Sequence, residues 1–586
     1  MNPFVRTALF AALTCSAPAF ADDKASPVAD PVLDKPTLRS LGAYWIIKGD
    51  ANANASVRVD YRKTGKGDWK QGPSLFRVEH GKHKPKENDS LLKIEDGDTL
   101  FAGSVLMLDP DTAYDLKLTL TDPDGGQATK TLSAHTIAEP VAPTGGRTLY
   151  VIPGDGGGRG TKDDPYKGIA SCEGDAMPGD TFLLAPGTYS GAVRLRRSGD
   201  PGKPIIWRGS DDAAGGKTII DGQANARAVT ASGLHDVWFE DLSVRNATYG
   251  IVSQESGRMV IRRCHFNDVD FGIAATKNGN DSVNDYFVTD NVMVGRSKWP
   301  RSEGIEDRRG VQLTGSGHVI AYNRISHFGD AIDTMPSIRC DSIDIHNNDC
   351  DILTDDGIET DYSQRNVRVF ENRLTNIFQG ISTQPVYGGP IYIFRNALFN
   401  VCVEPFKMHN SPSGALFLHN TIVKAGPAHV VMTTAPMSNM VSRNNLFVGT
   451  TAKTAVDMQV PATDCDFDYD GFAIKGSPNT YLNWNRGAEK FGTFEQMRQK
   501  APVWKNAIQV NGDTVFASGV HAPQTDKEAI GVEATDTRLA SSSAAIDAGQ
   551  KLPGVNDDFK GMGPDLGAYE LGAPLPHYGP RTKQDK

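Results

Sequence analysis

Seven asparagines, Asn291, Asn323, Asn348, Asn372, Asn396, Asn420 and Asn444, recur along the chain, and after a first gap of 32 their intervals settle to 25 and then 24 residues. In six copies an aliphatic residue or cysteine follows two positions later: Ile325, Cys350, Leu374, Leu398, Ile422 and Leu446. A fixed period in the twenties, built from short β runs and turns, predicts a solenoid in which each repeat is one coil stacked on the last. The Leu-x-x-Leu-x-Leu frame of leucine-rich repeats is absent. The asparagines then form a ladder at a turn, each amide bonding the next rung.

A second column runs beside the first. Gly250-Ile-Val, Gly272-Ile-Ala, Gly310-Val-Gln, Ala331-Ile-Asp, Gly357-Ile-Glu, Gly380-Ile-Ser and Pro405-Phe-Lys align rung by rung. Strand alternation sends the central Ile, Val or Phe inward and the next residue outward. The expected outer column is therefore Val252, Ala274, Gln312, Asp333, Glu359, Ser382 and Lys407, apolar early and polar in the middle, exposed to solvent. Cys350 belongs to the inward set, as a buried free thiol or one half of a bridge.

The chain before the solenoid reads differently. Arg6, the apolar run 8–13 and the small-residue end Ala19-Phe20-Ala21 fit a secretory signal peptide over residues 1–21. The protein is then exported, periplasmic or secreted. Six cysteines remain in the mature chain, where disulfides are allowed. The formal charge is −10, and −11 once Arg6 is gone, which argues against nucleic acid and anionic membranes as partners. A polyanion would need local cations or a metal to offset that field. No other apolar stretch is long enough to span a bilayer.

Residues 28–138 carry alternating runs at Ser56-Val-Arg-Val-Asp-Tyr61 and Leu116-Lys-Leu-Thr-Leu120, the pattern of a small sandwich. Leu108-Asp-Pro-Asp-Thr-Ala-Tyr114 resembles the tyrosine corner of fibronectin type III domains. That resemblance implies a packing or spacing module. Residues 139–146 are a Pro/Gly linker, and residues 147–575 form the second domain. A short helix is expected over 166–176 and another at 494–500, the latter covering the end of the solenoid.

The coils, the opening Pro178-Gly-Asp-Thr with Pro186-Gly-Thr-Tyr189, and the tail Gly563-Pro-Asp-Leu-Gly-Ala-Tyr-Glu570 resemble the pectate-lyase-like superfamily. That resemblance implies an all-β chain whose second domain is a right-handed parallel β-helix acting on carbohydrate. Lyases, hydrolases, epimerases and adhesins share the scaffold, so chemistry must come from a site.

Between Asp355 and Asp361 the chain reads Asp-Asp-Gly-Ile-Glu-Thr-Asp, and the coil before carries Asp330-Ala-Ile-Asp333. On adjacent rungs, about 4.8 Å apart, such carboxylates need a metal, shared protons or a cationic partner. Ca²⁺, which takes six to eight oxygen ligands, is one solution. The other is a pair of carboxylates, Asp333 and Glu359, acting as acid and nucleophile of a glycosidase, with Asp361 as a further candidate.

Lys407 lies in the same column. A lysine can take the C5 proton of a uronate if its proton affinity is lowered. Asp355-Asp356-Gly-Ile-Glu359 with Phe406-Lys407-Met408 resembles the family 9 polysaccharide lyases. By that resemblance Asp355, Asp356 and Glu359 hold calcium with Asp333 or Asp330 from the preceding coil, and Lys407 is the base. Here Glu359 stands where that family has a third Asp of its cluster. Gln312, Asp361, Tyr387 (on a loop beside the cleft) and Arg308 are candidate contacts to an acidic polysaccharide, and Arg296, Lys298, Arg301 and Arg309 belong to the same basic insertion. His318, His327, His346 and His409 show no metal-ligand spacing. The readings that remain are a lyase, a hydrolase, and a non-catalytic protein that binds or assembles exopolysaccharide.

Overall fold

The asparagine ladder is the spine of the solenoid. In a computed structural model of the 586-residue chain, each ladder asparagine accepts at Oδ1 from the backbone N–H and the side-chain amide of the asparagine one coil earlier. The bonds run Asn291–Asn323–Asn348–Asn372–Asn396–Asn420 at 2.9 to 3.1 Å. The ladder then departs from the expected register. Asn420 bonds Asn445, not Asn444, and Asn445 bonds Asp470, which closes the series. Asn444 sits at φ 60 and bonds His419 and the backbone of Gln550. An extra residue at this turn shifts the inward position too, so Phe447 and not Leu446 lies in register with Ile422.

The structure describes residues 23–582, apart from 80–91, 93, 212–215, 277–282, 303, 336–339 and 451–452. The signal segment lies outside the described residues. From Thr148 onward nearly every strand pairs parallel with the strand one coil away, giving sheets of 16 and 17 strands. They wind into a parallel β-solenoid of about eleven turns. Inside runs one continuous core, in which Ile325, Cys350, Leu374, Leu398, Ile332, Ile358, Ile381 and Phe406 are all buried. All six cysteines of the described chain are free. The helix expected over 166–176 is instead a two-residue strand, Tyr166–Lys167, and two single 3₁₀ turns, Ile169–Ser171 and Glu173–Asp175. The helix Phe494–Lys500 forms as expected, with Thr493 capping it through Gln496 N–H, and buries Phe494 and Met497.

The N-terminal segment folds into two antiparallel sheets sharing one core around Trp45, Val57, Phe101 and Leu118. The Tyr114 hydroxyl accepts from Asp109 N–H at 3.0 Å, tying the strand back to the preceding turn. This sandwich is fastened to the flank of the 16-stranded sheet. Arg368, fully buried, donates to Asp344 on the neighbouring coil, to Ser104 and to Thr37, while Asp34 accepts from Arg365 and Asn366. Leu106 packs among Phe370, Tyr392 and Phe394. Buried charges are costly unless partnered, and here the partners come from both units.

Candidate active site

The expected outer column is present in register. Val252, Ala274, Gln312, Asp333, Glu359, Ser382 and Lys407 pair one to the next on successive strands of the 17-stranded sheet. It is not an exposed stripe: Asp333 and Ser382 are wholly buried, and Glu359 and Lys407 are 5% and 8% exposed. The insertion behind the 32-residue interval folds over it. Arg309 donates to Asp333, and Arg301 pairs with Asp355 at 3.2 Å while lying 4.2 Å over the ring of Phe378. The column is thus the floor of a site.

A parallel column, three residues earlier on each strand, completes that floor. It contains Arg309, Asp330, Asp356 and Gln379, with Asp356 N–H donating to Asp330 Oδ1 at 2.9 Å. Gly357 and Gly380 lie between the columns. A Cβ on Gly357 would stand 2.3 Å from Leu374, and one on Gly380 2.0 Å from the carbonyl oxygen of Pro405. Those positions need glycine so that the coils stack closely and the acidic side chains converge.

Carboxylate oxygens of Asp330, Asp356 and Glu359 all come within 4.8 Å of one another. Asp356 Oδ1 and Glu359 Oε2 are buried without a hydrogen-bond partner. Lys407 Nζ reaches back two coils to Asp356 Oδ2, at 2.6 Å. Burial first, then the charges of Asp356 and its neighbours, pushes Asp330 well above the usual carboxylate range. Burial and the surrounding carboxylates do the same to Glu359. Burial, only partly offset by Lys407, lifts Asp361 to about 8. Burial tends to lower Lys407, but Asp356, Asp361 and Glu359 outweigh it and hold the ammonium more firmly than usual. Buried like charges this close must share protons or take up a cation. Three hard oxygen donors, two of them without partners, suit a divalent ion such as Ca²⁺.

The other sequence-derived candidates fall into place around this core. Asp333, proposed as a ligand, is engaged by Arg309, by Gln312 Nε2 at 2.9 Å and by Met335 N–H. Asp330 is the preceding-coil residue that joins Asp356 and Glu359. Asp355 faces Arg301. Asp361 Oδ1 accepts from the Ser382 hydroxyl and Gln384 N–H. Arg308 pairs with Asp270 at 3.1 Å and Glu306 at 3.2 Å, and Arg296 with Asp268 and Asp270, so these two cations of the insertion are spent on protein carboxylates. Tyr387 is not on a loop: it begins the strand Tyr387–Phe394, is buried, and lies 6.3 Å from the ring of Tyr362.

One pair went unread in the sequence. His409 Nε2 lies 3.0 and 3.1 Å from the two oxygens of Glu404, which is buried and also accepts from Met432 N–H. Met408 between Lys407 and His409 points into the core, so both side chains leave the same side of the coil. Nothing in the spacing Glu404-Pro405-Phe406-Lys407-Met408-His409 announces this. The pairing depends on the chain turning at Pro405.

A family model for right handed beta helix regions matches residues 224–384. The uncharacterized protein YwoF of Bacillus subtilis (strain 168) is 28% identical over 137 residues, 21% of this chain and 29% of that protein, so the chain spans under a third of that relative. Among solved structures the chain is similar to a pectate lyase, Pel9A, with TM-score 0.37 and 18% identity over 72% of this chain and 96% of that one. It is also similar to a rhamnogalacturonan lyase, with TM-score 0.36 and 12% identity over 68% and 97%. A third is the family 28 exopolygalacturonase of Yersinia enterocolitica, with TM-score 0.29 and 13% identity over 75% and 99%. The strand register and the family match together make the matched segment a right-handed parallel β-helix.

Proposed function

We propose that the chain is an exported polysaccharide lyase that cleaves a uronate-containing polymer by cation-assisted β-elimination. The observation that carries this is the convergence of Asp330, Asp356 and Glu359 within 4.8 Å, two of their buried oxygens lacking partners, with Lys407 on the same floor. Asp330, Asp356 and Glu359 would hold the cation, with Asp333 and Asp355 beside them. A divalent ion there supplies positive charge to a sugar carboxylate and offsets the cluster.

Lys407 is the base in this reading. Its amine takes the proton from C5, the freed electron pair forms the C4=C5 double bond, and the bond from C4 to the bridging oxygen breaks with its pair leaving on that oxygen, which takes a proton from water. The charges of Asp356, Asp361 and Glu359 now oppose that role. Once those charges are neutralised, burial is left as the dominant influence, and it favours the neutral amine. Gln312 and Asp361 line the floor next to the reacting sugar, and the polymer is the only partner the reading requires.

The raised Glu359 and Asp361 support a second reading, a glycoside hydrolase in which a carboxyl kept protonated near neutral pH serves as general acid. Incubation with a panel of acidic polysaccharides, with and without a chelator, separates the two. The lyase produces the ultraviolet absorbance of a C4=C5 double bond and loses it on chelation. New reducing ends without that absorbance, surviving the chelator, would sink the lyase in favour of the hydrolase. Binding with neither signal would leave an exopolysaccharide-binding protein. Lys407→Ala is expected to abolish turnover, and normal turnover in that variant removes it as the base.

A further inference from the structure

The wall that carries the acidic cluster continues toward the N-terminal end of the solenoid, and its side chains change character there. Strand register places Arg227, Tyr249, Phe271, Arg309 and Asp330 in one column. Arg194, Thr230, Val252, Ala274 and Gln312 form the column beside it. Tyr249 stacks on Phe271 with ring centroids 4.4 Å apart and planes 19° from parallel. Phe271 is buried and covers one face of the tyrosine, which is itself only half-buried. The opposite face is turned toward the rung of Arg227.

The arginines of this region divide into two groups. Arg245 pairs with Asp221, Arg296 with Asp268, Arg308 with Asp270 and Arg309 with Asp333. Arg194 and Arg227 are exposed and make no ion pair among the described residues. Unpaired surface arginines are commonplace singly. Two of them in register with an accessible aromatic ring, on the same columns as the cluster, are a different matter in a chain of net charge −10. Such a chain repels a polyanion unless local cations meet it. A guanidinium binds a carboxylate through a planar, two-point contact, and an aromatic face offers a sugar ring a flat apolar surface.

We propose that the rungs of Arg227 and Tyr249, extended by Arg194, form an accessory subsite that holds an anionic sugar of the polymer. Tyr249 and Arg227 lie three and four rungs from Asp330 and Arg194 five, about 14 to 24 Å, so the subsite engages long chains and not short ones. This rests on the reading of the substrate as an acidic polysaccharide.

The test compares kinetics on polygalacturonate and alginate with kinetics on trisaccharides prepared from them, too short to reach Arg227 from the cluster. Arg227→Ala is expected to raise KM for the polymer about 10-fold, the loss of one charge-assisted contact, and to flatten its salt dependence. Values on the trisaccharide should stay at those of the wild type. Tyr249→Ala should act in the same direction, and Tyr249→Phe, which keeps the ring, should not. Wild-type KM on polymer in both Arg227→Ala and the Arg194→Ala/Arg227→Ala double variant overturns the subsite while leaving the lyase reading intact. An equal rise on polymer and trisaccharide also overturns it, since that reports a disturbed fold. A wild-type protein that neither cleaves nor binds either polymer overturns the parent reading and the subsite together.

Discussion

Asp356 is claimed from two sides: one oxygen takes the Lys407 ammonium and the other is buried without a partner, facing Asp330 and Glu359. Removing its charge should therefore affect the cation and the lysine at once, whereas Glu359 bears on the cation without holding Lys407 directly. Glu359→Gln is expected to weaken Ca²⁺ binding about 10- to 100-fold, the worth of one charged ligand contact. Lys407→Ala should leave that affinity unchanged or tighter, because a competing cation has gone. Isothermal titration calorimetry reads both, and wild-type Ca²⁺ affinity in Glu359→Gln would remove it from the site. The sequence placed Glu359 and Lys407 on one wall because the column of Gly-Ile repeats fixes which residue follows each inward Ile. It could not choose between Asp330 and Asp333. Arg309 lies against both, so the difference comes from the other partners: Asp333 is also held by Gln312 and Met335 N–H, while Asp330 converges with Asp356 and Glu359, and no periodicity announces those contacts.

At the scale of the coil, the ladder asparagines do what no apolar residue could, because each satisfies backbone groups at a buried turn. Asn372 donates to Ile345 O and Asn396 Oδ1, and accepts at Oδ1 from Asn348. Asn372→Ala strands those partners in the core, at a cost of about 1–3 kcal/mol for each buried group left unsatisfied. Urea denaturation should show the midpoint of that variant well below wild type, and Asn445→Ala, which removes a rung of the same ladder, should fall with it. A wild-type midpoint in Asn445→Ala would contradict the shift to Asn445. The 24-residue period made the ladder legible. Its last rung was misread because Asn444 and Asn445 are adjacent and both fit a spacing pattern. Only the left-handed turn at Asn444 decides which one points inward. Tyr387 was misplaced for a related reason: Pro385, Gly388, Gly389 and Pro390 signal a loop, yet parallel pairing with Ser413 and Ile391 with Ala415 carries the strand through them.

Across the whole molecule, buried histidines sit where one part meets another. His318 accepts from Tyr286 N–H inside a coil and feels the charge of Lys35 from the N-terminal sandwich. His346 stacks on Phe370, and His419 accepts from Asn444 and from Asn556 of the C-terminal tail. Burial, ahead of any neighbouring charge, lowers His318 and His346 to about 4, and His419 and His429 to about 3. In the unfolded chain they protonate near 6.5, so below that pH the unfolded state binds more protons. Stability is then full above pH ~6.5 and is lost as pH falls toward 4, at about 1.4 kcal/mol per pH unit for each histidine. The acidic cluster has the opposite sign. With Asp361 raised to about 8, the folded state holds the extra proton, and chelated protein should lose stability as pH rises from about 4 toward 8. Bound Ca²⁺ compensates those carboxylates and leaves the histidine limb alone. Denaturation midpoints at pH 8, 6.5 and 5 should therefore fall only on the acid side in calcium, and on the alkaline side as well in chelator. A midpoint that rises between pH 6.5 and 5 in calcium would mean that these histidines are not held neutral. The joints they occupy would then have to be held by other contacts.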